Sequence, residues 1–345
     1  MLCCEWFFKE ILQAANQKFR GISLDAQTTS SPLVDTMLAQ LPLLYNSLDL
    51  RKALNPIHYY KVWLYRRRFR KLLLPYIMQA TRQGEGLAKS KTILKLAMKE
   101  HLGEKPTSDI PPDFIERTVG HFWIFLFAGH DTTAITLAFT FYMLSRNPEK
   151  AAKLRAEHDR VLGPDPARAA DRLTSDPTLV NQLPYTTAVF KETLRLWAPV
   201  SGGVRATPPD HFLTHPETGE RFPTHGWMIN NNGAVMHRLE EYWPQPNTFL
   251  PERWLVTNPN DPLHPRKGTF RPFEAGARNC IGQELVSIEV RLVLALTVRE
   301  FEIQDQYPDE GPMFLGEKAY SVEMPESVAT AHAKDRMPVR IRSRC

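Results

Sequence analysis

Apolar residues recur at i, i+3 and i+4 through residues 5–19, 33–48 (around Pro42), 57–82 and 88–101, so the first 118 positions predict four helices with short breaks. From 112 to 146 the pattern becomes one long, mostly apolar helix. Its uncharged stretch 118–129 runs into His130-Asp131 and then continues from Thr132 to Ser145, the pattern of a buried helix interrupted by polar groups. Asn147-Pro148 caps the next helix, which Gly163-Pro164 stops near Leu162, and a third begins at Pro184 and ends before Pro199. Residues 199–272 hold 12 of the 28 prolines, which excludes long helices and central strands and leaves edge strands, turns and extended chain. Trp227, Trp243, Phe249 and Trp254 give this meander apolar anchors that a flexible spacer lacks. Helix returns at 282–299, and 300–345 predicts short strands, clearest at 338–342.

The fold class that follows is mainly α with small β elements. With 345 residues, 43% hydrophobic and 23% charged, the chain can bury one large core or two ordinary ones. A net charge of +5 is too small to argue for a nucleic-acid partner. The stretch 61–71 holds six basic residues in eleven and is read as a solvated helix face. No run of 18 apolar residues occurs, and Glu5, Lys9 and Glu10 interrupt the opening segment, so no membrane span is expected in this chain. Four cysteines, Cys3, Cys4, Cys280 and Cys345, make neither a disulfide framework nor a CxxC zinc site.

Candidate chemistry concentrates at 273–282, Phe-Glu-Ala-Gly-Ala-Arg-Asn-Cys-Ile-Gly. Here Phe273, two tight-turn glycines (Gly276 and Gly282), Arg278 and Cys280 immediately precede an apolar helix. A helix start and a neighbouring cation favour a thiolate, which suits nucleophilic catalysis or iron ligation; a Cys before a helix is otherwise a small buried hydrophobe. Glu192 and Arg195 lie three apart on one helix face and can pair, and Arg253 arrives from the meander as a third member. Gly129 removes a side chain mid-helix and leaves room for a flat ligand, beside the carboxylate of Asp131 and the hydroxyl of Thr132. Gly202-Gly203 suggests close backbone approach.

The decapeptide resembles the haem-binding loop of the cytochrome P450 superfamily, FxxGxRxCxG, at every fixed position. The resemblance extends, in chain order, to AGHDTT at 128–133 (the oxygen-activation stretch), ETLR at 192–195 (ExxR) and PERW at 251–254 (the PERF-like element). It covers roughly residues 20–345. It implies a cytochrome P450 fold in one partial domain: helices at 1–111, the oxygen-side helix at 112–146, the ExxR helix at 184–197, the meander at 199–272, the haem-thiolate loop and its helix at 273–299, and C-terminal strands at 300–345. It also implies haem b as cofactor, with Cys280 as the axial iron ligand. Arg278 and Arg205 would lie at the propionates, and Phe273, Gly276, Gly282 and Gly129 against the macrocycle. Proton delivery would fall to Asp131 and Thr132, an assembly network to Glu192, Arg195 and Arg253, and substrate contact to residues 198–204. His130 receives no role, and His237 and Trp243 resemble structural meander residues.

Two features depart from the family. A complete microsomal member carries an N-terminal anchor, several helices and most of a small sheet ahead of the point where this sequence starts, so the N-terminal part of the fold is expected to be missing. Trp63 to Arg67 has the letters of the family's Trp-x-x-x-Arg motif but lies too near Thr132 to be it. Ala277 stands where the loop usually has Pro, and Trp254 where PERF has Phe. The function implied is a haem-thiolate monooxygenase that oxidises a small lipophilic substrate with molecular oxygen, tailoring a fungal secondary metabolite such as a polyketide. With no GxGxxG and no flavin domain in the sequence, electrons are expected from NADPH through a separate reductase. A truncated, inactive gene fragment is a second reading. A haem-thiolate isomerase or dehydratase needing no reductase is a third, against which the intact Asp131-Thr132 pair argues. The family implies the endoplasmic reticulum membrane surface; a chain without the anchor is expected in the cytoplasm.

Overall fold

The structure is a computed structural model that describes residues 32–40, 43, 55–82, 100, 111–200, 202–308, 310, 312–315, 317–319, 321–323 and 330–344. The helices expected at 5–19 and, but for position 100, at 88–101 lie outside these residues, as do Cys3, Cys4, Cys345 and Ser201. The chain divides into two compact units, Met1–Asp131 with Met324–Val328, and Thr132–Glu323 with Ala329–Cys345.

In the first unit, helix α1 is Pro32–Leu38 and α2 is Pro56–Arg82; of the helix expected at 33–48, positions 41–42 and 44–48 lie outside the described residues. They pack with the first part of α3, Pro112–Arg146. Phe69, Leu73 and Ile77 recur every four residues on α2, so they fall on one face and are buried there with Met37, Phe114, Val119 and Phe122. Arg66, Arg67 and Arg68 are exposed, and the Arg67 guanidinium lies over the Trp63 ring at 5.3 Å. Arg70 Nε meets Glu116 Oε1 at 2.6 Å and ties α2 to α3. Helix α3 is long and apolar enough to cross a membrane by length and composition alone. It is not buried throughout: Ile124 and Phe125 are exposed, so the expectation of one buried helix fails over this middle turn.

The second unit takes the rest of α3 with α4 (Pro148–Leu162), α5 (Ala169–Ser175), α6 (Pro184–Leu196), α7 (Gly233–Met236) and α8 (Gln283–Thr297). Its core includes Phe139, Tyr142, Leu154, Val189, Phe190, Leu194, Trp197, Val290 and Leu294, which accounts for the apolar sequence of the end of α3. Thr136 Oγ1 donates to the Thr132 carbonyl (2.8 Å) and Thr140 Oγ1 to that of Thr136 (2.7 Å), so both buried hydroxyls are satisfied within the helix. Asn147 does not cap α4 with its side chain. Its Nδ2 donates backwards to the Met143 carbonyl at 2.7 Å and closes α3, while Pro148 starts α4.

Among the described residues the strands form four two-stranded antiparallel pairs. β1 (Val204–Ala206) pairs with β4 (Met228–Asn230), Arg205 opposite Ile229, and β2 (Phe212–Thr214) pairs with β3 (Arg221–Pro223). β5 (Phe301–Asp305) pairs with β8 (Val339–Ser343), and β6 (Ser321–Glu323) with β7 (Ala331–Ala333). The proline-rich meander thus contains hairpin edges and turns, as its composition required. Its anchors differ from expectation at one place: Trp243 and Phe249 are buried, but Trp227 is 71% exposed. Trp227 sits in the turn that leads into β4, outside the packed side of the meander.

Candidate haem-thiolate site

The rigid part of the site is a buried carboxylate. Glu192, on α6, accepts five hydrogen bonds. Oε1 takes them from Arg195 Nη2 (2.7 Å), the Leu250 backbone N–H (3.0 Å) and Arg253 Nε (3.1 Å); Oε2 takes them from Arg195 Nε (2.9 Å) and Trp254 Nε1 (2.9 Å). Glu192, Arg195 and Arg253 are all fully buried, where an unpaired charge is costly. Arg195 then reaches the meander through its other donors, Nη1 to the carbonyls of His237 (2.8 Å) and Pro246 (2.7 Å) and Nη2 to that of Thr248 (3.1 Å). Both guanidiniums also flank the Trp243 ring, at 5.3 and 5.7 Å. The expected three-member ion network is therefore present as geometry. The Trp254 indole is a fourth member that the sequence, seen only as a Phe replacement, did not disclose; the one signal for it was the N–H that Phe lacks.

Neighbouring groups extend this frame. Glu252 meets Lys153 Nζ (2.6 Å), Lys150 Nζ (3.0 Å) and the Tyr185 hydroxyl (3.1 Å). Burial raises its pKa, but the two ammonium groups and a backbone bond outweigh that and hold it down at about 2. His237 is pushed down to about 4, by burial first and then by Arg195 and Arg238, so it is neutral near pH 7. Its Nε2 accepts the backbone N–H of Arg271 at 2.9 Å, which places His237 as a structural support for the segment entering 273–282.

That segment closes on itself where the Cys280 N–H donates to the Phe273 carbonyl at 2.8 Å. The Phe273 ring lies 6.4 Å from that of Phe190 on α6, against the core. Gly276 adopts φ +81°, the left-handed region that favours glycine. Gly282 does not: at φ −88° it is the residue capping α8, so only one of the two glycines serves a left-handed turn. A Cβ on Gly282 would stand 3.8 Å from Cys280 Sγ. Cys280 is exposed and unpaired, which contradicts the buried-hydrophobe alternative.

Within the second unit, the residues present fit a haem on two observations. Ile281, next to Cys280 in the turn before α8, is 86% exposed, and Leu285 and Ile288, three apart on α8, are exposed too, so apolar side chains stay uncovered on the residues that follow the thiol. Arg205 donates only to the Val204 carbonyl (3.0 Å), and neither Arg205 nor Arg278 pairs with a carboxylate among the described residues, which suits propionates. In the first unit, a Cβ at Gly129 on α3 would meet nothing within 4 Å. Asp131 and Thr132 follow on the same helix, both half-buried. The structure leaves His130 exposed on α3. Of the stretch 198–204, Val200 and Val204 are exposed. Gly202 and Gly203 are both crowded: a Cβ on Gly202 would stand 1.7 Å from the Asn231 carbonyl oxygen.

Comparison with known proteins agrees with this geometry. The family model for cytochrome P450 matches residues 3–328. The chain is 35% identical over 336 residues to cytochrome P450 monooxygenase polC of Polytolypa hystricis, covering 92% of this chain and 58% of that protein. It is 33% identical over 307 residues to cytochrome P450 monooxygenase acrF of Aspergillus aculeatus, covering 84% and 60%. The chain thus spans about three fifths of the length of these curated relatives. Among solved structures, the cytochrome P450DA heme domain superposes with a TM-score of 0.69 at 23% identity, over 95% of this chain and 64% of that one. A cytochrome P450 (CYP102L1) superposes with a TM-score of 0.67 at 22% identity, over 93% and 66%; at these identities the likeness is one of fold.

Proposed function

The chain belongs to the cytochrome P450 family, and from that premise we propose that it acts as a haem-thiolate monooxygenase on a small lipophilic organic molecule. The observation that carries the reading is the exposed Cys280 thiol, held in a closed turn between Phe273 and α8 and followed in sequence by the exposed apolar residues Ile281, Leu285 and Ile288. Haem bound there supplies an iron centre at which molecular oxygen is activated. Cys280 Sγ would hold the haem iron, and Arg205 and Arg278 would hold the propionates. Gly129 leaves room for the macrocycle, and Asp131 and Thr132 hold and move protons on the oxygen side. Glu192, Arg195, Arg253 and Trp254 touch no substrate; they fix the meander on α6. Electrons come from NADPH through a separate reductase, at the endoplasmic reticulum membrane surface, as the family implies. The two relatives carry the name monooxygenase and come from fungi, which supports the same chemistry here; tailoring of a fungal secondary metabolite such as a polyketide extends that reading.

The test is reconstitution of the full chain with haemin, reduction and addition of carbon monoxide. A thiolate-type difference spectrum, lost in Cys280→Ser, is expected. No haem uptake by the wild-type chain, or the same spectrum in the serine variant, overturns the proposal.

A further inference from the structure

We infer that Glu274 is a positioning residue that locks the cysteine loop to the strand bearing Arg205, so that thiol and guanidinium are held at fixed separation for opposite parts of one haem. The inference rests on the haem-thiolate reading and assigns a role to a residue that the loop's fixed pattern leaves open. Glu274 directly follows Phe273, whose carbonyl closes the loop on the Cys280 N–H. Its backbone has φ +59°, a conformation that a non-glycine residue keeps only when its surroundings hold it there. The side chain shows what does so. Oε1 accepts the backbone N–H of Gly203 at 2.8 Å, and Oε2 accepts Arg271 Nη2 at 3.2 Å. Gly203 immediately precedes β1, and Arg205 is two residues further on.

The same glycine gives both side chains room beside the backbone without pairing them. A Cβ on Gly203 would lie 2.9 Å from Arg205 Nη1 and 3.2 Å from the Glu274 carboxyl carbon, so its missing side chain lets both groups flank one stretch of backbone. These residues line an open cleft of about 200 Å³ with Ile229, Asn231 and Ala275. Bonds from a carboxylate to a backbone N–H and a guanidinium are charge-assisted and stronger than neutral ones. His237 independently holds the Arg271 backbone, so the segment does not depend on Glu274 to fold. What Glu274 adds is the link across to β1, and a negative charge beside Arg205.

Glu274→Ala and Glu274→Gln in the full chain test this, first without haem. Amide hydrogen exchange over 202–206 and 273–282 is expected to quicken about tenfold or more in the Ala variant, and less in Gln, which keeps an acceptor for Gly203. With haemin added, loss of haem to apomyoglobin is expected to follow the same order, Ala fastest. The midpoint potential should shift positive in Gln, since a negative charge has gone, a change that a purely structural role would not produce. Unchanged exchange at 202–206 in the Ala variant overturns the link. Quickened exchange with unaltered haem loss and potential overturns the positioning role. A wild-type chain that takes up no haem overturns the haem reading itself, while the haem-free exchange still decides whether Glu274 ties the loop to β1.

Discussion

Replacing Glu192 by Gln removes one negative charge from a site where two arginines are fully buried, with almost no change of shape. One oxygen survives as an acceptor. The new amide nitrogen, wherever it is placed, faces either Arg195 Nε and Trp254 Nε1 or the three donors that converge on Oε1, so at least two donors meet a donor. Breaking a buried pair while leaving its partner charges in place costs about 3–5 kcal/mol. For a unit of this size each kcal/mol moves the melting temperature by about 2–4 °C, so a fall of about 6–20 °C is expected. Thermal and urea unfolding followed by far-ultraviolet circular dichroism measure it. Trp254→Phe is the graded companion: it removes one hydrogen bond to a charged group, about 1.5–3 kcal/mol, and leaves four donors on Glu192. A loss in the Gln variant no larger than that of an exposed ion pair, about 1 kcal/mol or less, would refute the claim that Glu192 is what neutralises Arg195 and Arg253.

Other outcomes follow from single features. Gly202→Ala should destabilise the chain by about 1–3 kcal/mol or more, because the obstacle 1.7 Å away is backbone and cannot swing aside; a melting curve like that of wild type would contradict this. Gly129→Ala should do the opposite without haem, stabilising a helix interior with open space around it by about 0.8–1.0 kcal/mol, yet lower haem uptake; haemin titration beside thermal unfolding separates the two. The carboxyl of Glu252 is held down at about 2 against an ordinary 4.5, so its contribution to stability is whole above 4.5 and is lost as pH falls towards 2; Glu252→Gln should flatten that part of the stability profile in urea titrations between those limits. Asp131→Asn and Thr132→Ala should leave haem content intact and lower the product formed per NADPH consumed in a reductase-supported assay, with peroxide making up the difference.

The sequence disclosed the elements whose residues carry a period or a stop. The helix expected at 112–146 and α4 appear at those boundaries because proline opens each of them and Gly163 ends the second. Shorter elements were not legible. The chain between α4 and α6 contains α5 and two 3₁₀ turns, Pro166–Arg168 and Pro177–Gln182, too brief for a hydrophobic period. Their starts depend on Asp165 and Asp176 accepting the N–H groups of Ala167 and Thr178. At the site, charge pairs were readable from type and spacing, as with Glu192 and Arg195. Bonds between distant positions, such as Trp254 to Glu192 or Glu274 to Gly203, were not, because each depends on where the meander comes back. Exposure was the other blind spot: Trp227 has the composition of an anchor and the surroundings of a turn.

The partners of Glu192 at Leu250, Arg253 and Trp254 stand 58, 61 and 62 positions along the chain, so the carboxylate is the knot of a loop about sixty residues long. Closing such a loop costs about 3.6 kcal/mol of chain entropy, more than one charge-assisted bond returns. No single donor can hold the loop shut; several must engage together. Fastening of the meander is for that reason a threshold event in folding: the loop closes only once several donors are engaged, and a chain that lacks one of them is expected to fasten more slowly.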